Sequence, residues 1–66
     1  MTNVRGGVYE IKNVETGLRY IGSSRNTDRR FRQHRTELAR GTHRNERLQY
    51  SWNKRGENAF AFNVLA

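Results

Sequence analysis

Two tripeptides that pair glycine with tyrosine are the first residues in this sequence with a bearing on chemistry. Gly7-Val8-Tyr9 and Tyr20-Ile21-Gly22 lie about ten residues apart, on either side of a polar stretch. On neighbouring strands such residues lie side by side, and a glycine lets another backbone or a phosphate approach closely. The alternative is structural, because tyrosines favour strands and Tyr9 and Tyr20 can meet as a cross-strand aromatic pair.

Arginine dominates the charge of the chain. Eleven of the thirteen Lys and Arg residues are arginine, against six Asp and Glu residues. Residues 25–55 hold ten basic and three acidic side chains, so that the whole net charge of +7 lies in this segment. The planar guanidinium of arginine suits bidentate contacts with phosphate, which indicates a nucleic-acid partner. A solvated basic face that serves solubility is the alternative.

Length and composition limit the class of protein. Sixty-six residues make one domain, which we expect to be only marginally stable. Cysteine is absent, and neither a signal-peptide core nor an apolar run of membrane length is present. We therefore expect a soluble protein of the cytoplasm with no membrane partner.

The spacing of apolar residues predicts an α+β fold. Strands are predicted over 7–13 and 18–23, joined as an antiparallel hairpin through a short loop with Gly17 at a turn position. A third strand is predicted over 59–65, with Phe60, Phe62 and Val64 on one side.

Two helices are predicted between the second and third strands. The first begins at an N-cap, Asn26 or Thr27, and runs to about Arg40, where Gly41 ends it. The second covers roughly 45–54. The result is a small three-stranded antiparallel sheet with two helices packed on it, in the order strand, strand, helix, helix, strand. Because two small helices do not cover both faces of a sheet, we expect one face to be only partly covered.

The first helix carries a second group of candidate residues. Arg30, His34 and Glu37 fall on one stripe of this helix, because residues four and seven apart share a face. His34 is a candidate for chemistry, with an ordinary surface histidine as the alternative. A structural metal site is disfavoured, since His34 and His43 are the only soft ligands in the chain.

The ordered set of motifs resembles the GIY-YIG nuclease family, in the manner of its homing-endonuclease members. Gly7-Val8-Tyr9 matches the first motif with valine for isoleucine, and Tyr20-Ile21-Gly22 matches the second literally. Arg30 and His34 follow on a helix, and His43 and Asn53-Lys54-Arg55-Gly56 match later landmarks. The resemblance covers residues 6–66, which we interpret as a single GIY-YIG-like domain spanning 1–66.

The resemblance implies a metal-dependent endonuclease that hydrolyses DNA phosphodiester bonds. It assigns Tyr9 as the general base, Tyr20 as its orienting partner or the alternate base, and Arg30 as the donor to the phosphate oxygens. His34 is implied to hydrogen-bond the nucleophile or the tyrosine. If this assignment holds, both hydroxyl groups and the guanidinium face one pocket that is open to solvent.

Other residues are expected to contact DNA rather than to do chemistry. Gly22 is expected to let the scissile strand come near the backbone, and His43 to make a DNA or structural contact. The remaining expected contacts are polar and basic residues of the central segment, namely Ser23, Arg25, Arg29, Arg35, Arg44 and Lys54.

One departure from the family pattern concerns the metal. The implied cofactor is Mg²⁺ or Mn²⁺, and in the family a glutamate on a helix after the third strand binds it. The sequence reaches Ala66 without a residue at that position, so we expect a domain truncated at its C-terminus and weakly active in this form. A non-catalytic nucleic-acid-binding or assembly module on the same fold is the alternative. Apart from DNA, the candidate partners are a second copy of the chain and an additional DNA-binding domain outside it.

Overall fold

The computed structural model of the protein describes residues 6–66. The chain forms a hairpin, two helices, a single 3₁₀ turn and a last strand. These elements are β1 (Gly7–Asn13), β2 (Arg19–Ser24), α1 (Thr27–Arg40), α2 (Glu46–Arg55), the 3₁₀ turn (Glu57–Ala59) and β3 (Phe60–Val64). The predicted order of elements and the α+β class are confirmed, and the bounds differ from those predicted by at most one residue.

The three strands form one antiparallel sheet in the order β2-β1-β3. In this register Tyr9 lies opposite Gly22 on β2 and opposite Val64 on β3. Ile11 lies opposite Tyr20 and Phe62. Because side chains alternate along a strand, all of these residues point to the same face, and that face is covered by the helices.

Capping residues set the bounds of both helices. The side chain of Asn26 accepts a hydrogen bond from the Arg29 backbone N–H, which satisfies one free donor in the first turn of α1. Gly41 ends α1 in the left-handed conformation, with φ 76° and ψ 24°. The side chain of Asn45 caps α2 in the same manner by accepting from the Leu48 N–H.

The core lies between the helices and one face of the sheet. Tyr9, Ile11, Leu38 and Leu48 form its buried centre. Half-buried aromatic side chains surround this centre, among them Phe31 of α1 and Phe62 of β3. The Phe31 ring meets the rings of Tyr9 and Phe62 edge to face, with centroids 5.2 Å and 5.3 Å apart. Phe31, Leu38, Leu48 and Trp52 therefore all face inward.

The opposite face of the sheet has no helix on it. Val8, Ile21 and Leu65 are exposed on the strands or just beyond them. The middle of this face is polar, because Glu10 accepts hydrogen bonds from Arg19 at 2.7 Å and from Asn63 at 3.0 Å across all three strands. The homodimer that we expected to cover this face stays a prediction. No helix between residues 6 and 66 is long and apolar enough to cross a bilayer.

Candidate active site

Tyr9 lies at the centre of the candidate site, on the middle strand of the sheet. Its ring is packed across β2 at Gly22, where a Cβ atom would lie 2.5 Å from the Tyr9 hydroxyl oxygen and 2.6 Å from Cζ. Only glycine leaves room for the phenol ring at this position. The Tyr9 ring thus fills the space that we expected the scissile DNA strand to use.

The glycine of the first motif has a different neighbour. A Cβ atom on Gly7 would lie 1.9 Å from the carbonyl oxygen of Ala66. That carbonyl accepts a hydrogen bond from the Val8 N–H at 3.1 Å, and the Leu65 N–H donates to the Val8 carbonyl at 2.7 Å. Gly7 therefore lets the residues after β3 lie close against the start of β1.

A chain of hydrogen bonds leads from the backbone of α2 to the hydroxyl of Tyr9. The Tyr9 oxygen lies 2.7 Å from Nε2 of His34, and Nδ1 of His34 lies 2.7 Å from Nε2 of His43. Nδ1 of His43 accepts from the backbone N–H of Asn45 at 3.1 Å. We refer to these groups as the histidine relay, which consists of Asn45 N–H, His43, His34 and the Tyr9 hydroxyl.

The backbone end of the relay determines the direction of every bond in it. A backbone N–H only donates, so Nδ1 of His43 carries no proton and its Nε2 does. Nδ1 of His34 must then accept from His43, which places the proton of His34 on Nε2. His34 therefore donates to the Tyr9 oxygen, and the hydroxyl proton of Tyr9 is directed away from His34.

His43 is held in place by a buried glutamine that the sequence analysis did not single out. Gln49 accepts from the His43 backbone N–H at 3.0 Å. Its amide group donates to the Leu38 carbonyl at the end of α1 and to the side chain of Asn53. Gln49 thus ties α2 to α1 and to the loop that carries His43. A glutamine on a helix gives no signal of this role in the sequence.

Tyr20 contacts both histidines, but it does not pair with Tyr9. The register places Ile11 opposite Tyr20, and the two tyrosines are diagonal to each other. The half-buried ring of Tyr20 meets the edges of His34 and His43, with centroids 5.2 Å and 5.7 Å apart. The alternative of a cross-strand pair between the two tyrosines is therefore wrong, because both of them pack on the histidines instead.

Arg30 lies on α1 beside the relay. Its guanidinium donates from Nη1 to the side-chain oxygen of Gln33 at 2.7 Å, and the Gln33 amide group donates to Glu37. The charge of Arg30 acts on the relay, since burial and the nearby Arg30 lower the pKa of His34 to about 4. Burial also lowers the pKa of His43. Both rings are therefore neutral near pH 7.

The predicted pocket open to solvent is not present at Tyr9. Tyr9 is 1% exposed, His34 is 1% exposed and His43 is 6% exposed. Phe31 covers the Tyr9 ring from α1, with its own ring perpendicular at 5.2 Å. Tyr9, Tyr20 and His34 lie together as expected, but the expectation of an open pocket was wrong because the tyrosine is also a core residue.

Apart from His43, which is buried, the expected DNA-contacting side chains are exposed, and they lie on different sides of the domain. Ser23 is on the face of β2 that no helix covers, and Arg25 and Arg29 are at the start of α1. Arg35 extends toward β3, where its guanidinium lies 4.3 Å from the centre of the Phe62 ring. Arg44 precedes α2, next to the relay, and Lys54 lies at the far end of that helix.

One group of side chains within residues 6–66 has the composition of a metal site. Single ligand atoms of His34, Glu37 and His43 lie within 4.8 Å of one another. Two imidazole nitrogens that share a metal at about 2.0 to 2.1 Å each lie more than 3 Å apart, whereas those of His34 and His43 are 2.7 Å apart and share a proton. Mg²⁺ and Mn²⁺ also prefer oxygen ligands, so this group does not fit the implied cofactor.

Comparisons with known proteins agree with this fold. The GIY-YIG catalytic domain family matches residues 5–65. Intron-associated endonuclease 1 of Enterobacteria phage T4 is 36% identical over 62 residues, which are 94% of this chain and 25% of that protein. The catalytic domain of the homing endonuclease I-TevI has a TM-score of 0.90 and 34% identity, over 94% of this chain and 66% of that one.

A second structure of that catalytic domain, a glutamate-to-alanine mutant, has a TM-score of 0.85 at 36% identity. It is matched over 92% of this chain and 62% of that chain. Our chain therefore belongs to the GIY-YIG catalytic domain family, and the resemblance seen in its motifs is confirmed. It spans a quarter of the length of the phage endonuclease and about two thirds of the solved domain.

Proposed function

We propose that this domain hydrolyses phosphodiester bonds in DNA, with Tyr9 as the group that takes the proton of the attacking water. The observation that carries the proposal is the histidine relay, which ends on the Tyr9 oxygen at 2.7 Å. Endonuclease relatives support the assignment, and homing endonucleases act on DNA. A purely structural tyrosine in the core has no need of a directed chain of two histidines.

The direction of the relay gives His34 a specific task. Because Nε2 of His34 already carries a proton, His34 does not accept the proton of Tyr9. It donates to the Tyr9 oxygen, and a hydrogen bond to an oxygen favours its charged form. His34 therefore stabilises the anionic oxygen that a general base requires, and the hydroxyl proton passes to a solvent water before Tyr9 accepts the proton of the attacking water.

Arg30 is the proposed donor to the phosphate oxygens. One of its five N–H groups is used by Gln33, and the others remain for a phosphate. A positioned guanidinium stabilises the charge that develops on a phosphate during attack by water. Its neighbour Gln33 keeps it next to the relay in the free protein.

Tyr20 is the runner-up for the role of base. Since Tyr9 is 1% exposed, a phosphate reaches its hydroxyl only after neighbouring side chains move aside. Tyr20 is half-buried and touches the same two histidines, so it needs less movement. Separate tyrosine-to-phenylalanine variants distinguish the two.

The metal is proposed to be Mg²⁺ or Mn²⁺, since GIY-YIG nucleases generally depend on a divalent metal. Such an ion would neutralise charge on the phosphate oxygens when bound. Residues 6–66 offer no set of oxygen ligands that fits it, because the one candidate group is built on the hydrogen-bonded pair His34 and His43. We therefore assign no step of the reaction to a metal held by these residues.

The test is single-turnover cleavage of a plasmid with Mg²⁺ or Mn²⁺, for the chain as given and for a version extended by a helix that supplies a glutamate. We expect the extended form to cut faster. In that form Arg30→Ala should cost roughly 3 to 4 kcal/mol of transition-state stabilisation, by analogy with loss of one oxyanion donor. Tyr9→Phe should lower the rate comparably and leave DNA affinity unchanged, whereas the exposed loop variant Val14→Ala should cut normally.

Two results would contradict the proposal. Full activity of Tyr9→Phe with loss in Tyr20→Phe would move the role of base to Tyr20. Binding of DNA without cleavage in either form would favour the non-catalytic module, which the endonuclease relatives do not favour.

A further inference from the structure

A second cleft lies apart from the relay, between the turn of the β1–β2 hairpin and the outer face of α2. Its volume is about 410 Å³. The hairpin contributes Thr16 and Leu18, and α2 contributes Arg47, Tyr50 and Lys54 among others. We call it the Tyr50 cleft. None of its lining residues belongs to the relay.

The most distinctive feature of this cleft is an exposed aromatic ring. Tyr50 is 65% exposed, more than any other exposed large hydrophobic residue in the described part of the chain. The ammonium group of Lys54 lies 5.7 Å from the centre of its ring. An exposed ring beside cations suits a nucleobase, because every base offers a flat face for stacking and carries a phosphate on each side.

Two of the three cations that line the cleft, Arg47 and Lys54, are available for phosphate, whereas the third, Arg55, pairs with Glu15. Within residues 6–66 the ion pairs are Arg19 with Glu10 and Arg55 with Glu15. Neither pair uses Arg47 or Lys54, although Glu46 also lines the cleft. The charge of the cleft therefore complements an anionic chain, and its ring and the Leu18 side chain complement a base.

A continuous surface connects this cleft to the relay. A smaller cleft of about 70 Å³ is lined by Leu18 and Tyr20 of the β1–β2 hairpin and by Asn45 and Arg47 at the start of α2, among others. Leu18 and Arg47 also line the Tyr50 cleft. Tyr20 contacts both histidines of the relay, and Asn45 belongs to it.

We propose that the Tyr50 cleft binds an unpaired base of the DNA substrate. The base stacks on Tyr50, and Arg47 and Lys54 contact the phosphates beside it. The base must be unpaired because a base inside a duplex already has a neighbour on both faces. That the bound strand is the substrate rests on the proposed function, whereas stacking in the cleft does not.

The test is a binding titration without divalent metal, by fluorescence anisotropy of a labelled single-stranded oligothymidine of about ten nucleotides. We expect Tyr50→Ala to weaken binding by roughly 5- to 150-fold, which corresponds to the loss of one base–aromatic stack. The matched variant Tyr50→Phe keeps the ring and should bind as the unmodified protein does. A blunt duplex of the same length should lose less than about two-fold with either variant, since its only free base faces are those of the two terminal pairs.

The proposal is overturned if the single strand does not bind at low salt, or if Tyr50→Ala binds it normally. Equal losses for single strand and duplex would also overturn it, because the cleft would then contact only the backbone. Circular dichroism and thermal melting confirm that each variant is folded. Ring-dependent binding by a domain that cuts no DNA would support this cleft and contradict the proposed function. If neither cleavage nor single-strand binding depends on Tyr50, the proposed function is supported and the proposal for the Tyr50 cleft is contradicted.

Discussion

The hydroxyl oxygen of Tyr9 and Nε2 of His34 lie 2.7 Å apart, and His34 is the donor in this hydrogen bond. The assignment follows from the opposite end of the relay, where Asn45 donates its backbone N–H to His43. One peptide N–H thus sets the direction of the hydrogen bonds that join a histidine of a loop, a histidine of a helix and a tyrosine of the sheet. This order has consequences that can be measured without any assay of cleavage.

The first prediction concerns the tautomers of the two histidines. Both rings should be neutral at pH 7 with their proton on Nε2, since the Asn45 N–H occupies Nδ1 of His43 and His43 occupies Nδ1 of His34. Nitrogen-15 NMR of histidine-labelled protein reads the tautomer directly. A proton on Nδ1 of either ring would show that the relay runs in the opposite direction.

A matched pair of variants at residue 45 tests the cause of that order. Asn45→Ala loses the side-chain cap of α2, at a cost of about 0.5 to 2 kcal/mol, but keeps the backbone N–H. Asn45→Pro loses the cap and the N–H together. We expect the alanine variant to keep the Nε2–H tautomers and the proline variant to populate others. Unchanged tautomers in a folded proline variant would refute the role of the backbone.

The second prediction concerns stability against pH. The pKa of His34 falls from 6.5 to about 4 on folding, chiefly because the ring is buried, with a further contribution from Arg30. The unfolded chain then binds more protons than the folded one between these two values, so stability decreases as pH falls through this window. One such group changes the free energy of unfolding by at most about 1.4 kcal/mol per pH unit. His43 adds in the same direction.

The measurement is urea unfolding between about pH 5.5 and 7.5, above the range where Glu10, whose pKa folding lowers from 4.5, begins to bind protons in the unfolded chain. The pKa of His34 also responds to four nearby charged or titratable groups, namely Arg30, Glu37, His43 and Arg44. The variant His34→Gln removes the titrating imidazole and leaves these four groups in place. The variant should show a smaller slope below pH 6.5. An equal slope would assign the effect to other residues.

The third prediction concerns the glycine of the second motif. Gly22→Ala places a methyl group 2.5 Å from the Tyr9 oxygen, and the buried ring has little room to move. We expect a loss of about 1 to 3 kcal/mol, as for other overpacked cores, together with a weakened bond from Tyr9 to His34. Chemical unfolding and the His34 NMR signals report the two effects. Ser23→Ala, on the uncovered face of the same strand, should change neither of them.

The fourth prediction is a steep dependence of DNA binding on salt. The charge of residues 25–55 suggests several phosphate contacts, and four contacts would weaken duplex binding about 100-fold between 50 and 200 mM salt. Replacing Arg25 or Arg44 by alanine should each lower the slope of log affinity against log salt by about 0.9. Lys12→Ala, which lies outside this segment, should leave it unchanged. A flat response of the unmodified domain would exclude phosphate as the main ligand.

Local signals explain which parts of the fold the sequence predicts. Asn26 and Gly41 mark the ends of α1, and alternating residues mark the strands, because caps and periodicity depend on neighbours in the chain. The contact between His34 and His43 depends instead on how the loop before α2 packs against α1. The burial of Tyr9 depends on the register that places it opposite Gly22. Neither arrangement is encoded within a few neighbouring positions.

The relay begins at a peptide N–H, and this has a consequence for how the site tolerates mutation. Nineteen of the twenty residue types carry that N–H, so the proton order in the site is nearly immune to side-chain substitution at position 45. Selection can therefore exchange one capping residue for another there without disturbing the chemistry. The backbone N–H that directs the relay is the same atom in each of these capping residues, and only proline at position 45 would remove it.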